Sequence, residues 1–163
     1  MKNPYSSLLG DRNPLTVLTS TAGTLEALLA PVMGNRAALQ RKPAPGKWCL
    51  QEILAHLTDC ELAFGFRLRQ CLAEPNHTVQ PFDQDHWATH YDAYAGTQPL
   101  AAYLALRNWN LALIQSLTPA DLDLKVNHPE QGEGTVREIL NIWAGHDLNH
   151  LQRLPGQVGA ATA

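Results

Sequence analysis

The chain has 163 residues, 45% of them hydrophobic and 17% charged, which is the size and make-up of one domain able to bury its own core. With 12 Lys and Arg against 15 Asp and Glu, the formal net charge is −3, and the absence of any Lys/Arg-rich run argues against nucleic acid as a partner. No stretch approaches the length of a membrane span and Met1-Lys2-Asn3-Pro4-Tyr5 holds no apolar leader core, so a cytoplasmic location is the expectation.

Residues 1–13 are polar and punctuated by Pro4 and Gly10, and read as an irregular lead-in. Asn13-Pro14 then has the form of a helix start, with Asn as the cap and Pro at the first helical position. Leu15, Leu18, Ala22, Leu25, Leu29 and Val32 follow at alternating steps of three and four, the seam of a packed helix that Gly34-Asn35 ends. Residues 40–47, with Pro43 and Pro45, form a linker.

The second helix opens at about Trp48-Cys49 and runs to about Ala73. Leu50, Ile53, Leu57, Phe64, Leu68 and Cys71 make its apolar stripe, and at about 100° per residue Glu61 falls inside that stripe. His56 sits at its edge. A carboxylate on a core face needs a partner, a metal or a proton.

Residues 75–96 are a long connection holding Phe82-Asp83-Gln84-Asp85-His86-Trp87, and loops of that length are often functional. The third helix starts near Thr97-Gln98-Pro99, with Leu100, Tyr103, Leu104, Leu111 and Ile114 as its stripe and Arg107 on the same face. Thr118-Pro119 ends it and opens a short turn of helix over 120–122. After a loop over 128–134, Thr135-Val136-Arg137-Glu138 has the form of a capping box. Val136, Ile139, Leu140, Trp143 and Leu154 define the inner face of the fourth helix, with His150 near its centre and His146 and Asp147 on either side. Pro155-Gly156 is expected to stop it.

Four long amphipathic segments without strand-like alternation predict an all-α four-helix bundle. The long link between the second and third helices allows those two to run parallel. Cys49, Cys60 and Cys71 are eleven apart, about 16 Å along a straight helix, too far for disulfides; they read as free thiols.

His146 and His150, four apart, lie one above the other on one helical face, the spacing at which two imidazoles grip one ion. Two polar residues near a helix C-terminus are the plainer explanation. His56, Glu61, Arg107, His146, Asp147 and His150 all fall at or inside apolar stripes of three helices. An ion pair of Glu61 or Asp147 with Arg107 satisfies a structural reading. A site of His56, His146 and His150 instead leaves coordination positions open, as catalytic zinc sites do, and nickel or iron also accepts imidazole. Asp59 or Glu61 is placed to orient the ligand imidazoles. His77, His86, His90 and His128 lie in predicted loops and carry less weight as ligands. Cys60, four residues after His56, is positioned to line a cavity, though a plain buried thiol is the simpler reading. Trp87, in the long loop, is the tryptophan placed to roof a pocket.

Gly46-Lys47-Trp48-Cys49-Leu50-Gln51-Glu52-Ile53-Leu54-Ala55-His56-Leu57-Thr58-Asp59-Cys60-Glu61 resembles the second-helix signature of the DinB-like superfamily, of DinB/YfiT type. The motifs Phe82-Asp83-Gln84-Asp85-His86-Trp87 and Gly145-His146-Asp147-Leu148-Asn149-His150-Leu151 fit the same family in order and spacing, so the resemblance covers roughly residues 14–154 of a single domain. Cys49 departs from it, standing where a capping Ser is usual. The resemblance implies a bundle of unusual connectivity, often a homodimer, with a divalent metal, typically nickel or zinc, on three histidines matching His56, His146 and His150; iron or manganese is the further alternative. Family activities include thiol S-transfer, thiol-dependent isomerisation and metal-dependent hydrolysis.

The expected function is therefore that of a metal-dependent enzyme passing a low-molecular-weight thiol to an electrophile, the thiolate being the nucleophilic form. Arg107 is a candidate for holding a substrate carboxylate, and Glu61 or Asp147 for orienting a ligand or moving a proton. The alternatives are a hydrolase using the same site and a non-catalytic metal-binding stress protein or dimeric scaffold.

Overall fold

The computed structural model describes residues 1–94 and 96–162. In chain order the elements are α1 (Ser6–Leu9), α2 (Pro14–Leu29), α3 (Arg36–Gln40), α4 (Leu50–Ala73), β1 (His77–Thr78), α5 (Gln84–Ala88), a 3-10 turn (Tyr91–Ala93), α6 (Gln98–Gln115), α7 (Pro119–Leu122), β2 (Lys125–His128), β3 (Gly132–Thr135), α8 (Val136–Leu151) and α9 (Leu154–Thr162). The bundle is built from α2, α4, α6 and α8.

The helix starts follow their sequence signals. Asn13 Oδ1 accepts from the N–H groups of Leu15 at 2.8 Å and Thr16 at 3.3 Å, with Pro14 next in line. Thr135 Oγ1 accepts from Glu138 N–H at 3.4 Å, while the Glu138 carboxylate takes the Thr135 hydroxyl at 3.3 Å. Cys49 caps α4, and its N–H donates to Glu52 Oε2 at 2.7 Å, so the helix keeps one arm of a capping box despite lacking Ser.

The core divides into two apolar halves. One gathers Val17 and Leu18 of α2, Phe64 and Leu68 of α4, Leu111 and Ile114 of α6, and Ile139 and Trp143 of α8. The other gathers Leu25 and Leu29 of α2, Ile53 and Leu57 of α4, Leu100 and Tyr103 of α6, and Leu154 and Val158 of α9. The order in which each helix passes between the halves fixes its direction: α4 and α6 run parallel, with α2 and α8 opposed to both. The 24-residue span between α4 and α6, residues 74–97, returns the chain to the starting end, as a parallel pair requires.

Gly65 lets α4 and α6 approach each other, because a Cβ there would stand 2.5 Å from Asn110 Oδ1 and 2.8 Å from its Nδ2.

Four expectations are corrected. The lead-in is not wholly irregular: α1 forms and buries Leu9, and Tyr5 sits so close to α8 that a Cβ on Gly145 would lie 2.5 Å from Tyr5 Cβ. Strands exist, in a sheet of order β1-β2-β3, with His77 opposite Val126 in parallel and Val126 opposite Gly134 in antiparallel pairing. They are two to four residues long, too short for an alternation to be legible. The first predicted helix ends as α2 at Leu29 rather than at Gly34-Asn35, and the chain folds again as α3, capped by Asn35 Oδ1 accepting from Ala38 N–H at 3.1 Å. Finally, Pro155-Gly156 does not end the helical structure; the chain breaks at residues 152–153 and Pro155 opens α9, where a missing N–H costs nothing. Leu154, Val158 and Ala161 of α9 are buried.

Candidate metal centre

Between the two apolar halves lies a polar layer, one group of residues from each bundle helix: Thr21, His56 and Glu61, Arg107, and His146 and Asp147, all buried. Cross-helix hydrogen bonds and charges occupy the waist of the bundle, where hydrocarbon would otherwise continue.

On one side of this layer three histidines converge. His56 of α4 and His146 of α8 point Nε2 to Nε2 at 3.0 Å. His150, one turn beyond His146, completes a set whose donor atoms all lie within 4.8 Å of one another. Its ring centre is 5.0 Å from that of His56 and 4.6 Å from that of His146. Nitrogen lone pairs converging in this way need a proton or a cation between them. Two ligands about 2.0–2.1 Å from one ion stand about 3 Å apart, as His56 and His146 do, and a small inward turn of His150 completes a set that fits a divalent metal. Burial, with repulsion from His146, pushes the pKa of His56 down to about 3, and burial with repulsion from both neighbours does the same for His150. Neutral imidazoles are what metal ligation requires. For His146 burial opposes the charge, but the Cys60 sulfur and the Asp147 carboxylate outweigh it and hold the pKa well above the usual range.

On the other side lies a sealed ion cluster. Arg107 Nε donates to Glu61 Oε1 at 3.0 Å, Nη1 donates to Leu18 O at 2.8 Å, and Nη2 stands 2.7 Å from Asp147 Oδ2. Trp143 Nε1 donates to Glu61 Oε1 at 3.0 Å, and Asn110 Nδ2 donates to Glu61 Oε2 at 3.0 Å. The guanidinium lies 5.1 Å from the Tyr103 ring centre and 5.5 Å from that of Trp143. Burial raises the Glu61 pKa, with Arg107 opposing it; for Asp147 burial acts upward too, but the Arg107 charge prevails and the pKa falls.

The sequence-selected residues thus assemble as two adjoining groups. His56, His146 and His150 form the ligand set; Glu61, Arg107 and Asp147 form the ion cluster, joined to it where Asp147 Oδ1 stands 3.9 Å from His146 Nδ1. Arg107 is 0% exposed and directs its donors at Glu61, Asp147 and a backbone carbonyl. Glu61 bonds Arg107, Asn110 and Trp143, not a ligand imidazole.

A cavity of about 180 Å³ reaches His146, with Tyr5, Cys60, Phe82, His128 and Arg67 among its walls. Arg67, the cation in this wall, donates to Gln80 O at 2.7 Å and lies against the rings of Phe64 and Phe82. Neither Tyr5 nor Arg67 stands out by spacing or pattern in the sequence. His128 lies in β2 rather than a loop, is 6% exposed, and accepts the N–H groups of Glu130 and Gln131 at its Nδ1. Trp87 packs on Phe82 and lines a different cleft with Phe66 and His77. Cys60 was visible as the residue four after His56, and its sulfur lies 3.6 Å from His56 Nε2 and 3.7 Å from His146 Nε2.

Residues 18–154 match the model of the DinB superfamily. A protein of Oceanobacillus iheyensis, provisionally named a metal-dependent hydrolase, is 27% identical over 121 residues, 74% of this chain and 70% of its own. One of Bacillus mycoides with the same provisional name is 28% identical over 106 residues, 64% of this chain and 61% of its own. Among solved structures, YfiT from Bacillus subtilis, described as "a probable metal-dependent hydrolase with an unusual four-helix bundle topology", superposes with a TM-score of 0.76 at 20% identity, over 90% of this chain and 86% of that one. With residues 18–154 of its 163 matched, this chain belongs to the DinB superfamily.

Proposed function

We propose that this protein is a metal-dependent hydrolase whose divalent ion, zinc or nickel, is held by His56, His146 and His150. The observation that carries the reading is the convergence of three imidazoles, from two helices, beside a cavity that reaches His146. The hydrolase names of the relatives point the same way. Bound there, the ion supplies Lewis acidity and lowers the pKa of a water or thiol.

The chain's own residues would do the rest. His56 and His150 offer neutral nitrogens. Asp147, pinned by Arg107, stands 3.9 Å from His146 Nδ1, beyond hydrogen-bond range, and acts on that ligand as a fixed nearby charge, a positioning role rather than contact with substrate. Glu61 fixes Arg107 in turn, and Arg107 positions Asp147. Arg67 presents its charge to the cavity, where the anionic part of a substrate would sit, and Tyr5 and Phe82 exclude water from the same walls.

Transfer of a low-molecular-weight thiol is the second reading. It is favoured by the cavity that reaches His146, which leaves an open side of the histidine set for an incoming thiolate. A homodimer is also proposed, through the exposed apolar side chains Leu62, Phe66 and Trp109, with light scattering as its check. No helix among the described residues is long and apolar enough to cross a membrane.

The test is metal analysis of purified protein beside His150→Ala, followed by assay of both against ester and amide substrates with and without added thiol. One ion per chain and hydrolysis without thiol, both lost in the variant, are expected. Turnover only with thiol would move the assignment to the second reading. A loaded protein inert in every assay would leave a metal-binding scaffold.

A further inference from the structure

Two hollows meet at the segment that follows α4. One is the cavity of about 180 Å³ that reaches His146; the other is a cleft of about 560 Å³ walled by Ala63 of α4 and Trp87 of α5. Arg67, Pro81 and Phe82 are walls of both, so the two adjoin there. The cleft has the size and make-up of a small-molecule site, in which aromatic walls surround a few polar groups. Trp87 packs on Phe82 with ring centres 4.7 Å apart and keeps 39% exposure, so its ring is open to a ligand.

Arg67 is held in place but not neutralised. Its Nη2 donates to Gln80 O at 2.7 Å, and the guanidinium lies 5.7 Å from the Phe64 ring centre and 5.4 Å from that of Phe82. Among the described residues its other N–H groups meet no acceptor and no carboxylate pairs with it. The neighbouring charges are engaged or exposed. Asp83 Oδ1 accepts the N–H groups of Asp85 and His86 at 3.0 and 2.9 Å, His77 Nδ1 stands 2.7 Å from Glu74 Oε2, and Glu130 is exposed. A fixed guanidinium with free donors suits bidentate capture of a carboxylate. The Phe64 ring centre is also 6.3 Å from that of His146, which puts the cation and the ligand imidazole within the span of one small molecule.

We propose that the two hollows form one substrate site for a carboxylic acid with an aromatic arm. The carboxylate sits on Arg67, the arm lies in the cleft against Trp87 and Phe82, and the acyl bond to be cleaved turns toward His146. This rests on the hydrolase reading and names its substrate class; an N-acyl aromatic amino acid carries all three groups on one carbon. Water adds to the acyl carbon, the acyl–nitrogen bond breaks, and the amine leaves with a proton from that water.

The binding probes are 3-phenylpropionate, its primary amide, which lacks the charge, and propionate, which lacks the ring. Each would be titrated calorimetrically into the full chain as purified and after chelation, wild type beside Arg67→Leu and Trp87→Ala. Zinc-loaded wild type would be assayed on N-acetylphenylalanine and on a neutral ester. Wild type is expected to bind the aromatic acid about tenfold or more tightly than either analogue, with or without metal. Arg67→Leu should bind acid and amide alike, and Trp87→Ala should bind the two acids alike. Equal binding of acid and amide by wild type, which requires no variant to fold, would overturn the proposal, as would binding of the acid only when metal is present. If the loaded protein then cleaves the neutral ester, the hydrolase reading survives that loss. The expected binding in a loaded protein that cleaves neither compound would keep the acid site and overturn the hydrolase reading.

Discussion

His56 and His146, 90 residues apart in sequence, meet Nε2 to Nε2 at 3.0 Å across the α4–α8 interface. Nothing local brings them together; the packing of two apolar stripes does, and the contact is consequently a sensitive reporter of whether the bundle is correctly assembled.

Replacing either partner should separate ligation from folding. His56→Ala and His146→Ala are each expected to lower metal affinity beyond the roughly 10–100-fold typical of losing an outer hydrogen-bond partner, with helical circular dichroism retained. Isothermal titration with zinc, beside the dichroism spectrum, reads both quantities. Unchanged affinity in either variant would remove that histidine from the site.

The ion cluster should behave in the opposite way. Arg107→Met strips the guanidinium from Glu61 and Asp147, which have 1% exposure each, and leaves two buried carboxylates uncompensated. Breaking a buried pair from one side costs about 3–5 kcal/mol, so the urea midpoint of the metal-free protein should drop sharply. A loss under about 1 kcal/mol would mean that the cluster reorganises at little cost.

Gly65→Ala tests the α4–α6 approach. Alanine favours helix by about 1 kcal/mol, yet its methyl would stand 2.5 Å from Asn110 Oδ1. Overpacking should win, with a net loss of about 1–3 kcal/mol. Because the clash is with one side chain, Asn110→Ala in the same protein should recover part of that loss; additivity of the two would disprove the contact.

The metal-free protein should lose stability on acidification. His56 and His150 are held to about 3 when folded, against about 6.5 in the unfolded chain, so between those values the unfolded state binds the extra protons and stability falls as pH falls. His146, raised, acts in the other sense: its contribution is complete below the unfolded value and is lost as pH rises through its folded pKa. Near pH 5 the histidine pair dominates the slope. His150→Gln should therefore reduce proton uptake on unfolding there by about one, measured by denaturant titration across pH. An unchanged slope would place His150 in water.

Much of this was legible in the sequence, and for a reason. Asn13-Pro14 and Thr135…Glu138 are local capping signals and needed no tertiary information to act. Glu61 and Arg107 stood out because each breaks an apolar stripe, and a charge on a core face must find its partner wherever the fold puts it. The parallel direction of α4 and α6 was allowed by the length of the link. What stayed hidden depends on long-range placement or on brevity. Tyr5 covers His146 from the far end of the chain, β1 is two residues long, and α9 is stabilised by burying Leu154 and Val158, not by its own composition. Cys60 shares a helical face with His56, but a single thiol one turn from a histidine is uninformative until α8 arrives beside it.

The polar waist also sets the height at which the helices stand. Sliding α6 by one turn, about 5.4 Å, would carry Arg107 out of reach of both carboxylates and into the level of Leu111 or Tyr103, where nothing can neutralise it. Apolar stripes alone tolerate such a slip, since one leucine layer resembles the next. The charges therefore act as a detent, admitting one axial setting of the bundle, and that setting is the one in which the imidazoles of α4 and α8 come level.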